Sequence, residues 1–208
     1  MKIGIIGAGF IARAVATTAI RAGHEVMVSN TRTPDTLFSL TGTIGCKAGT
    51  PHDAAAFGDI VLLAIPLKNY PSIPVQALVG KVVLDANNYY PERDGHIVEL
   101  DQGSITTSEL VAQHLPQSKL VKVFNAIAAG DIDKEGKLAD SSQRRALPLA
   151  GDDPAAKRIV ADLLGQFGFD TVDAGLLAES WRFEKDTPAY CVPFDATQLR
   201  AALGAAER

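Results

Sequence analysis

The sequence is short of the residues that build metal centres and disulfide frameworks. Its 208 residues include two cysteines, Cys46 and Cys191, which stand far apart and in no paired spacing with another Cys or His. That argues against a zinc site and against a stapled secreted fold, and a reducing cytoplasm is the expected setting. Four histidines, His24, His52, His96 and His114, show no hydrolase spacing with a serine, cysteine or carboxylate, so turn and surface roles are expected of them. No run approaches the roughly 18 apolar residues of a membrane span. A charged leader followed by an apolar stretch is missing at the N-terminus, and no repeat or low-complexity linker divides the chain. Basic excess is missing too: the formal net charge is -4, which argues against nucleic acid or acidic membranes as partners.

What is present is an alternation of short apolar runs with amphipathic stretches, the pattern that βαβ crossovers impose on a parallel sheet. Strands are expected at 2–6, 25–29, 60–65, 81–85, 120–124, 146–150 and 169–173. The run at 60–65 is apolar at every position, which requires burial on both faces. Helices are expected at 11–22, closed by Gly23, at 104–115, stopped by Pro116, and from Pro154, with Asp153 as N-cap and Gly168 at its end. The charged segment 130–145 reads as an exposed loop. The fold expected is therefore α/β, a Rossmann-type doubly wound, mostly parallel sheet over 1–175. A small C-terminal element, 176–208, would pack on it, ending in a short periodic stretch at 197–203.

Directly after the first strand stands Gly7-Ala8-Gly9-Phe10-Ile11-Ala12, a G-x-G-x-x-[GA] turn that opens into a helix. Gly7 permits the tight turn, Gly9 lets a pyrophosphate approach the backbone, and Ala12 keeps the helix close to the sheet. The amides of Ala8, Phe10 and Ile11 would face the phosphates. The second strand runs out into Ser29-Asn30-Thr31-Arg32, with no acidic residue between Val26 and Pro34. A carboxylate at this place would accept from the ribose 2'-hydroxyl of NAD; small hydroxyls, an amide and a guanidinium suit the 2'-phosphate of NADP instead. NADP(H) is the expected cofactor.

Later strand ends complete the crevice, since ligands of open parallel sheets collect at their carboxyl edge. Ile65, Pro66 and Leu67 would wall the nicotinamide side. Asn87 or Asn88 could bond a carboxamide or a ribose, and Asn125 with Ala126 and Ala129 offers small residues where a flat ring could lie. No acid or base for catalysis is identified, and Asp152-Asp153 reads as a helix cap rather than a metal pair.

These pieces, in this order, resemble the coenzyme F420-dependent NADP oxidoreductases, small Rossmann reductases related to the N-terminal domains of the STEAP metalloreductases. The resemblance covers roughly residues 1–180 and adds Gly151-Asp152-Asp153-Pro154 and Asp173-Ala174-Gly175-Leu176 to the motifs above. It implies that residues 7–11 and 29–32 hold NADP, that 65–67 and 125–129 border the nicotinamide, and that hydride passes directly to a stacked flat acceptor such as F420, FMN or FAD. Such a transfer needs orientation and exclusion of water more than a proton donor. The tail departs from the family pattern around Trp181-Arg182-Phe183 and Thr187 to Cys191, so the acceptor stays open. Trp181 is expected to mark the acceptor side, with simple packing as its alternative. A small-molecule acceptor and a homodimer are the expected partners. The alternatives are a reductase of imines or β-hydroxyacids and a non-catalytic NADP(H)-sensing module.

Overall fold

The computed structural model describes residues 1–136 and 144–208. In chain order its elements are β1 (Lys2–Ile6), α1 (Phe10–Arg21), β2 (Glu25–Ser29), α2 (Phe38–Ile44), β3 (Lys47–Gly49), α3 (Pro51–Phe57), β4 (Ile60–Leu63) and β5 (Val82–Asp85). There follow α4 (Pro91–Asp94), α5 (Val98–Asp101), α6 (Thr107–His114), β6 (Lys119–Lys122), α7 (Ala129–Ile132), β7 (Ala146–Gly151), α8 (Pro154–Gln166), β8 (Asp170–Asp173) and α9 (Ala196–Gly204).

The strands form one sheet in the order β3-β2-β1-β4-β5-β6-β7-β8. From β3 to β6 every pairing is parallel. The chain moves outward from β1 to β2 and β3, then returns to the other side of β1 as β4. That reversal opens a crevice above β1 and β4 at the carboxyl edge, where such folds bind ligands. Strand β4 is buried at all four positions, Ile60 and Leu62 packing on one face with Ile5 and Val15, Val61 and Leu63 on the other with Val83 and Val111. Helices thus cover both faces, as the apolar run at 60–65 requires. No helix among the described residues is long and apolar enough to cross a membrane.

Several particulars differ from the expectation. Strand β7 runs antiparallel to β6, with Val121 opposite Gly151 and Lys122 opposite Ala150. Residues Asp152 and Asp153 therefore lie at the edge away from the crevice, where an Asp153 carboxylate oxygen caps α8 by accepting from the amides of Ala155 and Ala156. Strand β3 and helices α2 and α3 are additions to the expected set, because a three-residue strand and helices of two turns show little period. Segment 130–145 is not simply an exposed loop. Helix α7 extends into it, residues 137–143 lie outside the described residues, and Arg144 and Arg145 are buried. Arg144 donates to the carbonyls of Gly165, Gly168 and Phe169, which orders this strand entry against the end of α8. Helix α6 starts three residues later than expected, because Thr106 and Glu109 form a reciprocal capping box. Beyond Gly175 the tail lies against the β7 and β8 end of the sheet, where Phe183, Ala189, Leu199 and Leu203 pack with Ala146, Ala150 and Val172.

Candidate functional site

The glycine turn is built from one glycine the protein crowds and one it leaves open. Gly7 has φ +125°, and a Cβ there would overlap the Ala64 carbonyl oxygen of the neighbouring β4 loop. Its amide donates to Ser29 O at 3.0 Å. Ser29 is itself fully buried, its hydroxyl donating to Ile5 O at 3.0 Å, so it ties β2 to β1 behind the turn. Gly9, by contrast, is the N-cap of α1, and a Cβ there would meet nothing within 4 Å. No side chain caps this helix and no acidic residue occupies its first turn. Its free amides and positive end are thus open to an anion. Phe10 is exposed beside them, while Ala8 and Ile11 pack partly against the core. Arg13, which belongs to no motif of the sequence, brings a guanidinium back over the turn by donating from Nε to Ala8 O at 2.9 Å.

At the end of β2 the polar residues divide the work. Asn30 shapes the loop: its Oδ1 accepts from the Arg32 amide at 2.9 Å and its Nδ2 donates to Thr36 Oγ1 at 2.9 Å. Thr31 and Arg32 are exposed, and the Arg32 guanidinium makes no ion pair among the described residues. It is available to a phosphate.

Between the turn and the following strand ends lies a cleft of about 300 Å³, walled by residues 9–11, 64–66 and 86–88 with Tyr90 and Arg93. Asn87 is its best-defined polar wall. It is 2% exposed, its Oδ1 accepts from the Ile65 amide at 3.0 Å, and its carbonyl accepts from Lys122 Nζ at 2.5 Å. Its Nδ2 is buried with no partner among the described residues. Ile65 and Pro66 line the cleft, whereas Leu67 is fully buried beneath it.

Asn125, Ala126 and Ala129 lie behind this wall. Asn125 Nδ2 donates to Asn88 Oδ1 at 3.2 Å and to Phe183 O at 2.9 Å, and Ala126 O accepts from the Cys191 amide at 3.2 Å. Asn125 and Ala126 therefore anchor the tail, while Ala129 opens α7. Trp181 is not among the cleft-lining residues. Its ring is flanked by the guanidinium groups of Arg182, at 4.6 Å, and Arg208, at 5.8 Å. Tail residues approach the cleft at Tyr90: the Tyr190 hydroxyl stands 2.6 Å from that of Tyr90, and the Lys185 ammonium lies 5.9 Å from its ring centre.

Beneath the cleft runs a buried charge network. The Lys122 ammonium, at the end of β6, is fully buried 3.6 Å from Asp85 Oδ2 and 3.8 Å from Glu184 Oε1. Ser108 donates to Asp85 Oδ2 at 2.6 Å, the Asn87 amide donates to Asp85 Oδ1 at 3.0 Å, and the Thr107 amide donates to Glu184 Oε1 at 3.1 Å. Strands β5 and β6, helix α6 and the tail are joined here. One signal in the sequence points to it: a lysine between Val121 and Val123 in a strand otherwise apolar. No cluster of His, Cys, Asp or Glu that could hold a metal occurs among the described residues.

An uncapped helix at an open glycine and an exposed guanidinium past β2, without an ion pair among the described residues, are groups of the kind that suit phosphates. Residues 2–89 match the family described as NADP oxidoreductase, coenzyme F420-dependent, a stretch that includes both the glycine turn and Asn87. The chain belongs to this family.

Among similar proteins, a hypothetical protein from Sinorhizobium meliloti is 30% identical, and its crystal structure superposes with a TM-score of 0.81 over 93% of this chain and 95% of that one. A structure described as a candidate F420-dependent NADP-reductase from Arthrobacter sp. FB24 is 24% identical, with a TM-score of 0.74 over 86% of this chain and 87% of that one, and supports the fold. Metalloreductase STEAP3 of Rattus norvegicus is 26% identical over 205 residues, 98% of this chain. The chain spans 39% of that protein's length.

Proposed function

We propose that this F420-dependent oxidoreductase relative is an NADPH-dependent reductase that passes hydride to a flat conjugated acceptor, a deazaflavin such as F420 or a flavin. The observation that carries the reading is the opening at Gly9, where an uncapped helix faces a cleft whose other wall includes Asn87. NADPH, when bound, supplies the hydride. The residues of the chain do the rest: the turn and α1 hold the pyrophosphate, Arg32 holds the 2'-phosphate, and Asn87 orients the carboxamide against Ile65 and Pro66. Positioning of this kind, with water kept out, lowers the barrier to a direct transfer. Purified protein is incubated with NADPH and, in parallel, F420, FMN, FAD and ferric chelates, and NADPH oxidation is followed. Turnover with F420 or a flavin above that with ferric chelates is expected; its absence with every acceptor would overturn the reading.

Cofactor choice has its own measurement. Arg32 meets the 2'-phosphate with a charge-assisted bond, so NADPH is expected to bind more tightly than NADH, and Arg32→Ala to lose about 1.5–3 kcal/mol of that preference. Titration of both nucleotides into both proteins measures it, and equal affinities in the unmutated protein would exclude the role.

A further inference from the structure

Tyr90 leaves the end of β5 and Tyr190 comes from the tail, 100 residues later, yet their hydroxyl oxygens lie 2.6 Å apart at the cleft. Two hydroxyls that share one hydrogen bond leave one proton over, and either oxygen can be the donor. A backbone carbonyl can only accept. The bond from Asn125 Nδ2 to Phe183 O therefore fixes that amide's orientation, and its second bond, to Asn88 Oδ1, follows. Asn88 must then present Nδ2 to its other neighbours, the Asn125 carbonyl at 3.0 Å and Tyr190 Oη at 3.5 Å. Tyr190 Oη accepts from the amide with one lone pair, which leaves its own proton available to Tyr90, one of the two senses in which the 2.6 Å bond can run. In the sense in which Tyr190 donates, the Tyr90 proton has no partner among the described residues, on a side chain that lines the cleft with Phe10, Pro66 and Asn87.

We propose that Tyr90 is the acid that protonates the acceptor as hydride arrives, with Tyr190 as its relay, and that the acceptor is a ring whose hydride-accepting atom is conjugated to a carbonyl or imine heteroatom. The inference rests on the hydride-transfer reading above. In the step, the acceptor forms one bond to the hydride, its displaced π pair moves to the conjugated heteroatom, and that heteroatom forms a second bond to the Tyr90 proton. Tyr90 Oη takes the Tyr190 proton, and Tyr190, partly exposed, is reprotonated by water. NADPH, one proton and oxidised acceptor become NADP+ and reduced acceptor.

The surroundings suit both members. Burial, and then the bond to Tyr90, hold the Tyr190 hydroxyl far above the usual tyrosine range, so the relay is loaded at neutral pH. The Arg93 guanidinium lies 4.7 Å from the centre of the Tyr90 ring and the Lys185 ammonium 5.9 Å, two cations placed to hold negative charge on Tyr90 during transfer. Arg93 is itself fixed by bonds to Asp94 and to Asn88 O.

The test uses Tyr90→Phe and Tyr190→Phe beside the unmutated protein, with FMN and F420 as acceptors. NADPH affinity and thermal melting serve as controls, and turnover is measured in H2O and D2O. FMN affinity in the dead-end complex with NADP+, read from flavin fluorescence, reports on the Tyr90 contact without turnover. Tyr90→Phe is expected to lower turnover by about a hundredfold or more, the scale of general acid catalysis, and to remove the solvent isotope effect of the unmutated protein. It should weaken dead-end FMN binding about three- to tenfold and leave NADPH affinity within about twofold. Tyr190→Phe, which leaves Tyr90 in place, should lower turnover about tenfold and retain FMN affinity. Turnover of Tyr90→Phe within about threefold of the unmutated protein, or unchanged FMN affinity, would overturn the inference and leave the hydride-transfer reading standing. An unmutated protein that binds NADPH but reduces neither acceptor would overturn both. Should Tyr90→Phe melt far below the unmutated protein, Tyr190→Phe decides by itself: unchanged turnover overturns the relay, and loss with intact melting supports it.

Discussion

Lys122→Met is expected to destabilise the protein by about 3–5 kcal/mol, because it removes one partner of a buried ion pair and strands the other. The Lys122 and Asp85 side chains are both fully buried, and no solvent reaches either to replace a missing charge. Methionine matches the lysine stem in length and fills the same space, so the loss reports on charge rather than on a cavity. After the substitution Asp85 keeps the Ser108 hydroxyl and the Asn87 amide but has no cation, and the Asn87 carbonyl loses its bond from the ammonium. A domain stability of about 5–15 kcal/mol leaves the variant foldable, so urea denaturation can measure the difference. Adding Asp85→Asn to Lys122→Met should recover half or more of the loss, since the uncompensated charge is then gone and Ser108 and the Asn87 amide still find an amide partner. A single variant that loses less than about 1 kcal/mol would show that water reaches the ammonium and that the pair is not buried.

The place of this pair in the fold explains why a charge is kept where an apolar residue would be cheaper. Lys122 meets groups from two directions: Asp85 and Asn87 at the end of β5, and Glu184 from the tail. Glu184 also caps the start of α6 through the Thr107 amide. An apolar contact would accept the tail in many positions. A fully buried ammonium with three oxygen partners accepts it in few. The consequence for the site is that Tyr190, six residues beyond Glu184, is delivered to Tyr90 at hydrogen-bond distance.

The parts of this arrangement that the sequence displays are those whose causes are local. Strand β1, the turn and α1 follow one another without interruption, so the glycine pattern is legible along the chain, although what crowds Gly7 is the distant Ala64 carbonyl. The absence of an acidic residue after β2 is equally local, and it points to NADP(H) with Arg32 as the phosphate contact. The direction of β7 is not local. It depends on how the connection after β6 crosses the sheet, and the apolar pattern of 146–150 is the same for either direction. Ser29 has the sequence position of a cofactor ligand because it ends a strand beside Asn30; its orientation toward Ile5 follows from strand pleat, which places alternate side chains on opposite faces. Trp181 stands out by rarity, yet its neighbours are guanidinium groups supplied by Arg182 and by the far C-terminus. The Tyr90–Tyr190 pair is hidden for the opposite reason, since neither tyrosine has a neighbour in sequence that hints at the other. The charge network is partly visible: a lysine inside an apolar strand asks for a buried carboxylate, and the nearest strand-end carboxylate is Asp85.

Gly7 and Gly9 should separate stability from binding, although they lie two residues apart in one turn. Gly7→Ala drives a Cβ into the Ala64 carbonyl oxygen at a backbone φ of +125°, and neither the β4 loop nor the turn can move without breaking the sheet edge. Strain and overpacking together are expected to cost about 2–5 kcal/mol, whatever ligand is present. Gly9 has φ -75° and ψ -172°, a conformation that valine adopts freely, and open space where the side chain would go. Gly9→Val should therefore melt close to the unmutated protein, losing about 1 kcal/mol or less at the helix N-cap. Its methyl groups, however, would occupy the space in front of the α1 amides that the pyrophosphate needs, and NADPH affinity is expected to fall more than about a thousandfold, about 4 kcal/mol. Circular dichroism melts and NADPH titrations on both variants give the values required. If Gly9→Val folded normally and bound NADPH with unchanged affinity, the dinucleotide could not lie on the N-terminus of α1, and the cleft between the turn, Ile65 and Asn87 would have to serve some other ligand.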